Sequence, residues 1–410
     1  MDRIHVCYAM YDKKGTFSKY VGTSMTSLLE NTTQPLTLHL LHDSTLTEGN
    51  REKFEALAER YGQKICFYDM EILAGDVLQG MLEILPDAIV TRFSQAALYR
   101  LLAGIVLPKD VRRLIYLDSD TIVNLDIAEL WNEETGVNGL AAVDEIAATQ
   151  GDPAPQPLVS MGVVSRERYF NSGVLLIDLD SWRNQPEFLT NGLQMLVSNP
   201  ECFCFDQDIL NYAFAADYRK LPGIYDVFVS TDRRLENKIR PAIYHYAGGA
   251  MDLFDMDDAH NRLYAEYFTK SMWCTSDLVI ALLGQVYKGL DDSRARMREY
   301  FTCAAGKTRV FCGSGEMRAQ VEKCFSLKAG EEYKVVIDGE GNLSVESLLK
   351  MMNEKRDALF VIFTDVYDSL VVYFDDAGFE EMRDYVDGLQ LMTELEGGRK
   401  LWGGNLFDAL

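Results

Sequence analysis

The sequence predicts an α/β protein of two units, and three observations predict it. Short apolar strands alternate with amphipathic helices from Ile4 to Tyr68. An apolar run, Leu114-Ile115-Tyr116-Leu117, then stops at Asp118-Ser119-Asp120 and resumes at Thr121-Ile122-Val123, which reads as a buried strand ending at a charged site. Strand–helix alternation begins again after about residue 304.

Taken in order, Ile4–Ala9 reads as a first parallel strand, followed by the loop Met10–Lys19. Tyr20–Glu30 carries Val21, Met25, Leu28 and Leu29 on one helical face. Thr37–Leu41 is a second strand. Thr47 can cap a helix running through Phe54, Leu57 and Tyr61, and Gly62 ends it. Lys64–Tyr68 is a third strand. Such alternation marks a doubly wound domain, whose ligands collect at the carboxyl ends of the strands. The Met10–Ser18 loop and the Asp118–Asp120 turn both fall there. A helix is expected from about Ala88 to Ala103, with Phe93, Ala97, Leu98, Leu101 and Leu102 buried and Arg100 beside Tyr99. Leu140–Val143 is a short strand ending at Asp144. Gly151–Pro157, with three prolines, is a loop. The polar turn Tyr169-Phe170-Asn171-Ser172-Gly173 leads into another apolar strand. Phe205–Asn211 is an acidic helix start, where aspartate suits the helix dipole. Tyr225–Val229 and Ala242–Tyr246 are further strands, the second closing on His245-Tyr246-Ala247-Gly248-Gly249.

Two carboxylates held close repel each other unless a cation lies between them. In an extended chain Asp118 and Asp120 share one side. Oxygen ligands of this kind suit a hard divalent ion, manganese or magnesium, that also takes phosphate oxygens. The alternative is an ordinary turn, in which Asp and Ser are common. His245 is one of five histidines. A lone histidine at a strand end is more often structural than a ligand. The glycines after it, however, let the backbone approach a ligand and present amides to phosphate. With the two aspartates, His245 would complete an Asp/Asp/His set.

Composition narrows the partners. The 410 residues suffice for two or three cores. A 48% hydrophobic content and a mean hydropathy of -0.10 indicate a soluble globular chain, and no apolar run is long enough to span a bilayer. The net charge of -23 argues against nucleic acid and anionic lipid, and makes a metal counter-ion useful for a phosphate-bearing substrate. The eight cysteines are scattered, and Cys202-Phe203-Cys204 is too close to be a CxxC pattern, so they read as free thiols in a reducing cytoplasm. Met1–Val6 runs straight into a strand with no secretory leader. The expected location is cytoplasmic, with a peripheral place at the inner face of the membrane left open.

Beyond Trp273 the pattern changes. Asp277–Leu290 reads as an amphipathic helix, and Arg294, Arg296 and Arg298 lie on a second, polar one. Lys307–Met317 looks like strand, glycine turn, helix. Tyr333–Ile337 and Ala358–Phe363 are strands, and Asp368–Phe374 is a helix. This is a small Rossmann-like unit. Its Gly313-Ser314-Gly315 begins a dinucleotide fingerprint but has Arg318 at the third glycine, although Asp338 falls at the place of a ribose-binding acid. Tight packing at the glycine turn is the preferred reading over dinucleotide binding. The expected organisation is 1–270, a helical linker 271–303, and 304–410.

Asp118-Ser119-Asp120, Asn171-Ser172-Gly173-Val174-Leu175-Leu176, Asp206-Gln207-Asp208-Ile209-Leu210-Asn211 and His245-Tyr246-Ala247-Gly248 stand in an order that resembles glycosyltransferase family 8. The resemblance spans about Arg3 to Lys270, and Lys19–Asn31 also resembles the family's first helix. It implies a GT-A fold and a retaining hexosyltransferase. Such an enzyme moves galactose or glucose from UDP-galactose or UDP-glucose to a carbohydrate-bearing acceptor: a glycan, glycolipid or glycoprotein. It implies that Asp118, Asp120 and His245 bind Mn2+ or Mg2+. Ala9 and the loop through Tyr11 and Phe17 would cradle uridine. Arg100 would lie near the donor, Asp144, Asn171, Asp206 and Gln207 on its sugar, Gln207 on the reacting β face, and Gly248 and Gly249 beside the pyrophosphate. Two positions depart from the family pattern. Met251 falls in the frame of a phosphate-contacting Lys, and Met10, with Asp12 nearby, falls where an acid often meets the uracil edge. These departures keep an alternative in view, a catalytically weak or inactive UDP-sugar- or glycan-binding protein.

Overall fold

β1 (Ile4–Ala9) and β2 (Leu36–His42) are covered on both faces; β2 is buried throughout although Thr37, His39 and His42 interrupt its leucines. In a computed structural model the described residues are 3–15, 17–85, 95–151, 156–229, 235–247, 257–337 and 342–393. The chain divides into two units, Met1–Ser276 and Asp277–Leu410.

In the first unit, β3 (Lys64–Asp69), β4 (Arg113–Leu117), β5 (Thr121–Asn124), β6 (Leu140–Asp144), β7 (Phe170–Asp178), β8 (Arg219–Lys220), β9 (Val227–Phe228) and β10 (Ala242–His245) follow β1 and β2. Seven of these strands form one sheet in the order β3-β2-β1-β4-β7-β6-β8. β3, β2, β1 and β4 run parallel, and β7 is antiparallel to both β4 and β6. A second small sheet, β5-β10-β9, carries the apolar run onward after the aspartates. The strand expected to stop at the aspartates is β4, and the apolar residues beyond them form β5 in the other sheet.

Helix α1 (Ser18–Asn31) lies close enough to Trp273 that a Cβ at Gly22 would fall 2.0 Å from the indole. Trp273 in turn packs at a tilt of 54° against Phe54 of α2 (Glu48–Arg60), with centroids 4.6 Å apart, and its Nε1 donates to Asn50 at 3.1 Å. Thr47 caps α2 as expected, accepting from Asn50 N at 3.3 Å. Helix α3 (Met70–Ile84), which periodicity did not flag, is capped by Asp69. The helix expected over 88–103 lies partly outside the described residues. From 96 onward it is broken into Ala96–Tyr99, a 3-10 turn Arg100–Leu102 and Ala103–Val106. The strand expected at Tyr225–Val229 is a 3-10 turn, Gly223–Tyr225, followed by β9.

The second unit has a parallel sheet of β11 (Thr308–Ser314), β12 (Glu332–Ile337), β13 (Ala358–Ile362) and β14 (Tyr385–Asp387) in the order β12-β11-β13-β14. The two helices expected over 277–298 are one helix, Ser276–Ala304, because no Gly or Pro after Leu290 interrupts it. Among the described residues no helix is long and apolar enough to cross a membrane.

Candidate active site

The site begins where β4 stops. Asp118 N donates to Gly173 O at 2.8 Å, and the chain then turns, with Thr121 N donating back to Asp118 O at 3.3 Å. The two aspartates therefore approach each other across a turn, not by the alternation of an extended strand. β5 leaves that turn and pairs antiparallel with β10 so that Thr121 faces His245. Tyr246 N donates to Asp120 O at 2.8 Å and fixes this register. His245 Nε2 consequently lies 3.4 Å from Asp120 Oδ1 and 3.9 Å from Asp118 Oδ2. One potential ligand atom from each of the three residues falls within 4.8 Å of the others. Gly173 is what admits the imidazole: a Cβ there would sit 2.2 Å from His245 Cε1.

Arg100 is buried behind Asp118. Its Nη2 meets Asp118 Oδ1 at 2.7 Å, its Nε meets Asp206 Oδ2 at 3.0 Å, and its Nη1 donates to Ser172 O at 2.8 Å. The guanidinium carbon lies 4.5 Å from the centre of the Tyr116 ring. The exposed-arginine alternative is thereby overturned. The helix Phe205–Phe214 is locked to β7 by Asn211, which donates to Phe170 O and accepts from Phe170 N, both at 2.8 Å. Gln207 accepts from Ser172 N at 3.0 Å. Asp208 accepts from Tyr169 Oη at 2.7 Å and from Cys204 N at 3.0 Å.

Arg100, Asp118, Asp120, Asp206, Gln207 and His245 line a cavity of about 370 Å³, together with Ala9, Phe17 and Asn171, whereas Asp208 and Asn211 only brace its wall. Tyr11 packs against the core beside it and does not line it. Gly248, Gly249 and Met251 lie outside the described residues. Asp144 is turned elsewhere: it caps a short helix at Ala147 N, 2.9 Å, and pairs with Lys220 at 3.2 Å. Its neighbour Glu145 faces the cavity instead and accepts from Asn171 Nδ2 at 3.1 Å. Adjacent residues at a strand end point to opposite sides, so a strand end read one residue early selects the wrong acid. Asp12 does not reach the cavity either. It accepts from Phe17 N at 2.6 Å, Ser18 N at 3.1 Å and Asn50 Nδ2 at 3.3 Å, which holds the loop onto the start of α1.

Charge is unevenly balanced here. Asp118, Asp120, Asp206 and Asp226 face one guanidinium and one imidazole. Burial pushes Asp118 up to about 6, against the pull of Arg100. Burial acts the same way on Asp120, but His245 outweighs it and the net direction is down. Burial opposes charge on His245, yet Asp226 and Asp120 overcome it and raise its pKa well above the usual value. Burial also pushes Glu145 up to about 7. Two carboxylates and an imidazole fit a divalent cation, which would compete with the proton on His245.

The model of Glycosyl transferase family 8 matches residues 9–251. General stress protein A of Bacillus subtilis is 25% identical over 250 residues, 57% of this chain and 82% of that protein. Lipopolysaccharide 1,2-glucosyltransferase of Escherichia coli is 29% identical over 221 residues, 53% of this chain and 61% of that protein. The solved structure of the galactosyltransferase LgtC with donor and acceptor sugar analogues matches with a TM-score of 0.52 at 21% identity, covering 67% of this chain and 98% of that one. The mixed, mainly parallel sheet flanked by helices is the GT-A fold.

Proposed function

From the premise that the chain belongs to glycosyl transferase family 8, we propose that its first unit is a retaining, divalent-metal-dependent hexosyltransferase. It moves galactose or glucose from UDP-galactose or UDP-glucose to a glycan, glycolipid or glycoprotein. The convergence of Asp118, Asp120 and His245 on one point in the wall of the cavity carries this reading.

Asp118, Asp120 and His245 would hold Mn2+ or Mg2+. When bound, such an ion stabilises the negative charge that develops on a departing diphosphate, a contribution of several kcal/mol. The rest falls to the chain's own side chains. Arg100 bridges Asp118 and Asp206, which ties the cation position to the start of the helix Phe205–Phe214. Asp206, Gln207, Asn171 and Glu145 line the sugar side, where carboxylates and amide oxygens favour an oxocarbenium-like state. Ala9 and Phe17 line the end of the cavity nearest β1, the place for the nucleoside, with Tyr11 behind them. Gly248 and Gly249 would offer amides to the pyrophosphate.

A panel of UDP-sugars with a hydrolysis readout and Mn2+ tests this. The wild type should turn over a UDP-hexose, and Asp120→Asn should not. Equal rates would remove the aspartate pair from the mechanism. Met251 in the frame of a phosphate-binding Lys favours a second reading, a UDP-sugar- or glycan-binding protein without turnover. Binding of UDP with no hydrolysis of any donor would select it.

A further inference from the structure

Behind the three candidate ligands lies a side chain that belongs to none of the sequence motifs. Asp226 follows the turn Gly223–Tyr225 and precedes β9, and it is 0% exposed. β9 and β10 run parallel with His245 opposite Phe228, which brings Asp226 beside the imidazole. Asp226 Oδ1 lies 3.0 Å from His245 Nδ1. Its Oδ2 is buried with no hydrogen-bond partner among the described residues, so no second contact accounts for a carboxylate at this position. The ring has little room to turn. Gly173 abuts it on one side, and the Phe228 ring meets it edge-on at 5.8 Å.

An ionised carboxylate only accepts hydrogen bonds. Nδ1 therefore donates to Asp226, and Nε2 faces Asp118 and Asp120, so a cation bound there would displace the proton from Nε2 and leave the one on Nδ1 in place. We infer that Asp226 is a positioning residue that holds the His245 ring so that Nε2 is its ligand atom. The inference rests on the metal-dependent reading above. Partners of this kind typically contribute 10- to 100-fold to metal affinity.

The test is Mn2+ binding to the full chain, read by electron paramagnetic resonance without donor or acceptor. Asp226→Asn keeps the shape but can either accept from Nδ1 or donate to it, so it no longer dictates the tautomer. Its affinity should fall about 10- to 100-fold. His245→Ala should fall at least as far, and adding Asp226→Asn to it should change affinity by less than about 2-fold. An unchanged affinity in the single variant overturns the inference, and so does a loss that persists in the His245→Ala background. A wild type that binds no Mn2+, or that His245→Ala and Asp120→Asn both match, overturns the metal reading and the inference with it. One measurement needs no variant. In the Zn2+-loaded wild type, nitrogen-15 spectra of the imidazole should show the proton on Nδ1, and a proton on Nε2 would overturn the assignment.

Discussion

Each unit buries an arginine against a carboxylate, and the two pairs are built differently. Arg309 in β11 meets Glu331 with two parallel bonds, 2.6 and 2.7 Å, and donates a third to Tyr300 Oη at 3.0 Å. That pair is closed, with one charge of each sign and its donors directed into packing. Arg100 is shared between Asp118 and Asp206, while Asp120 and Asp226 add two further carboxylates against His245 alone. Burying unpaired charge is expensive, so an excess of this size is held only where something else completes it. The sheet ends differ in the same sense. In the second unit the end of β11 is filled from within: a Cβ at Gly313, inside the strand, would lie 2.6 Å from Tyr333 Oη and 3.0 Å from Phe363 Cβ, whereas one at Gly315, just past the strand, would meet nothing within 4 Å. In the first unit, the space that Gly173 leaves is taken by a candidate metal ligand.

The contrast can be broken most sharply at Gly173. Gly173→Ala should push His245 out of place and lower both Mn2+ affinity and UDP-hexose turnover by at least about 100-fold, while the chain stays folded by circular dichroism. Retained Mn2+ binding would mean that the imidazole is not a ligand. Next come the two arginines. Arg100→Met and Arg309→Met should each cost about 3–5 kcal/mol in urea unfolding, because each leaves buried carboxylate without its partner. Only Arg100→Met should also abolish turnover per folded molecule. A loss of turnover in Arg309→Met would put function into the second unit.

Glu145 gives a smaller effect with a defined sign. Burial raises its carboxyl from 4.5 to about 7, so the folded chain holds this proton more tightly than the unfolded chain does. Its contribution to stability therefore falls as pH rises from about 4.5 to about 7. Glu145→Gln should gain on the wild type across that window and level off above it, by about 1–3 kcal/mol at pH 8. A difference independent of pH would show that Glu145 is ionised freely. The smallest expected effect is none: saturating NADH should leave the melting temperature of the full chain unchanged, whereas a bound ligand would raise it.

Much of the first unit was legible because its signals are local. Asp118-Ser119-Asp120 follows an apolar run, Asn211 and Gln207 sit in one helical turn, and β1 to β3 are separated by two helices, the second capped by Thr47. What the sequence concealed depends on pairing between distant strands. Asp226 looks like part of a strand until β9 is set beside β10. Gly173 looks like a turn residue until the ring of His245 occupies its missing side chain. Glu145 was passed over for Asp144 because the end of β6 decides which acid faces inward, and strand ends are what periodicity fixes least well. The broken helix around Arg100 reads as continuous because no Gly or Pro stands at Arg100–Leu102 to mark the 3-10 turn. In the second unit, Arg318 at the third glycine already marked the fingerprint as incomplete.

The most direct measurement is an anomalous-difference map from crystals grown with Mn2+ and UDP. The account predicts one strong peak at bonding distance from Asp118, Asp120 and His245 Nε2, with the diphosphate completing its coordination. Manganese bound elsewhere, or bound to the aspartates with His245 left on Asp226 alone and out of reach, would contradict it.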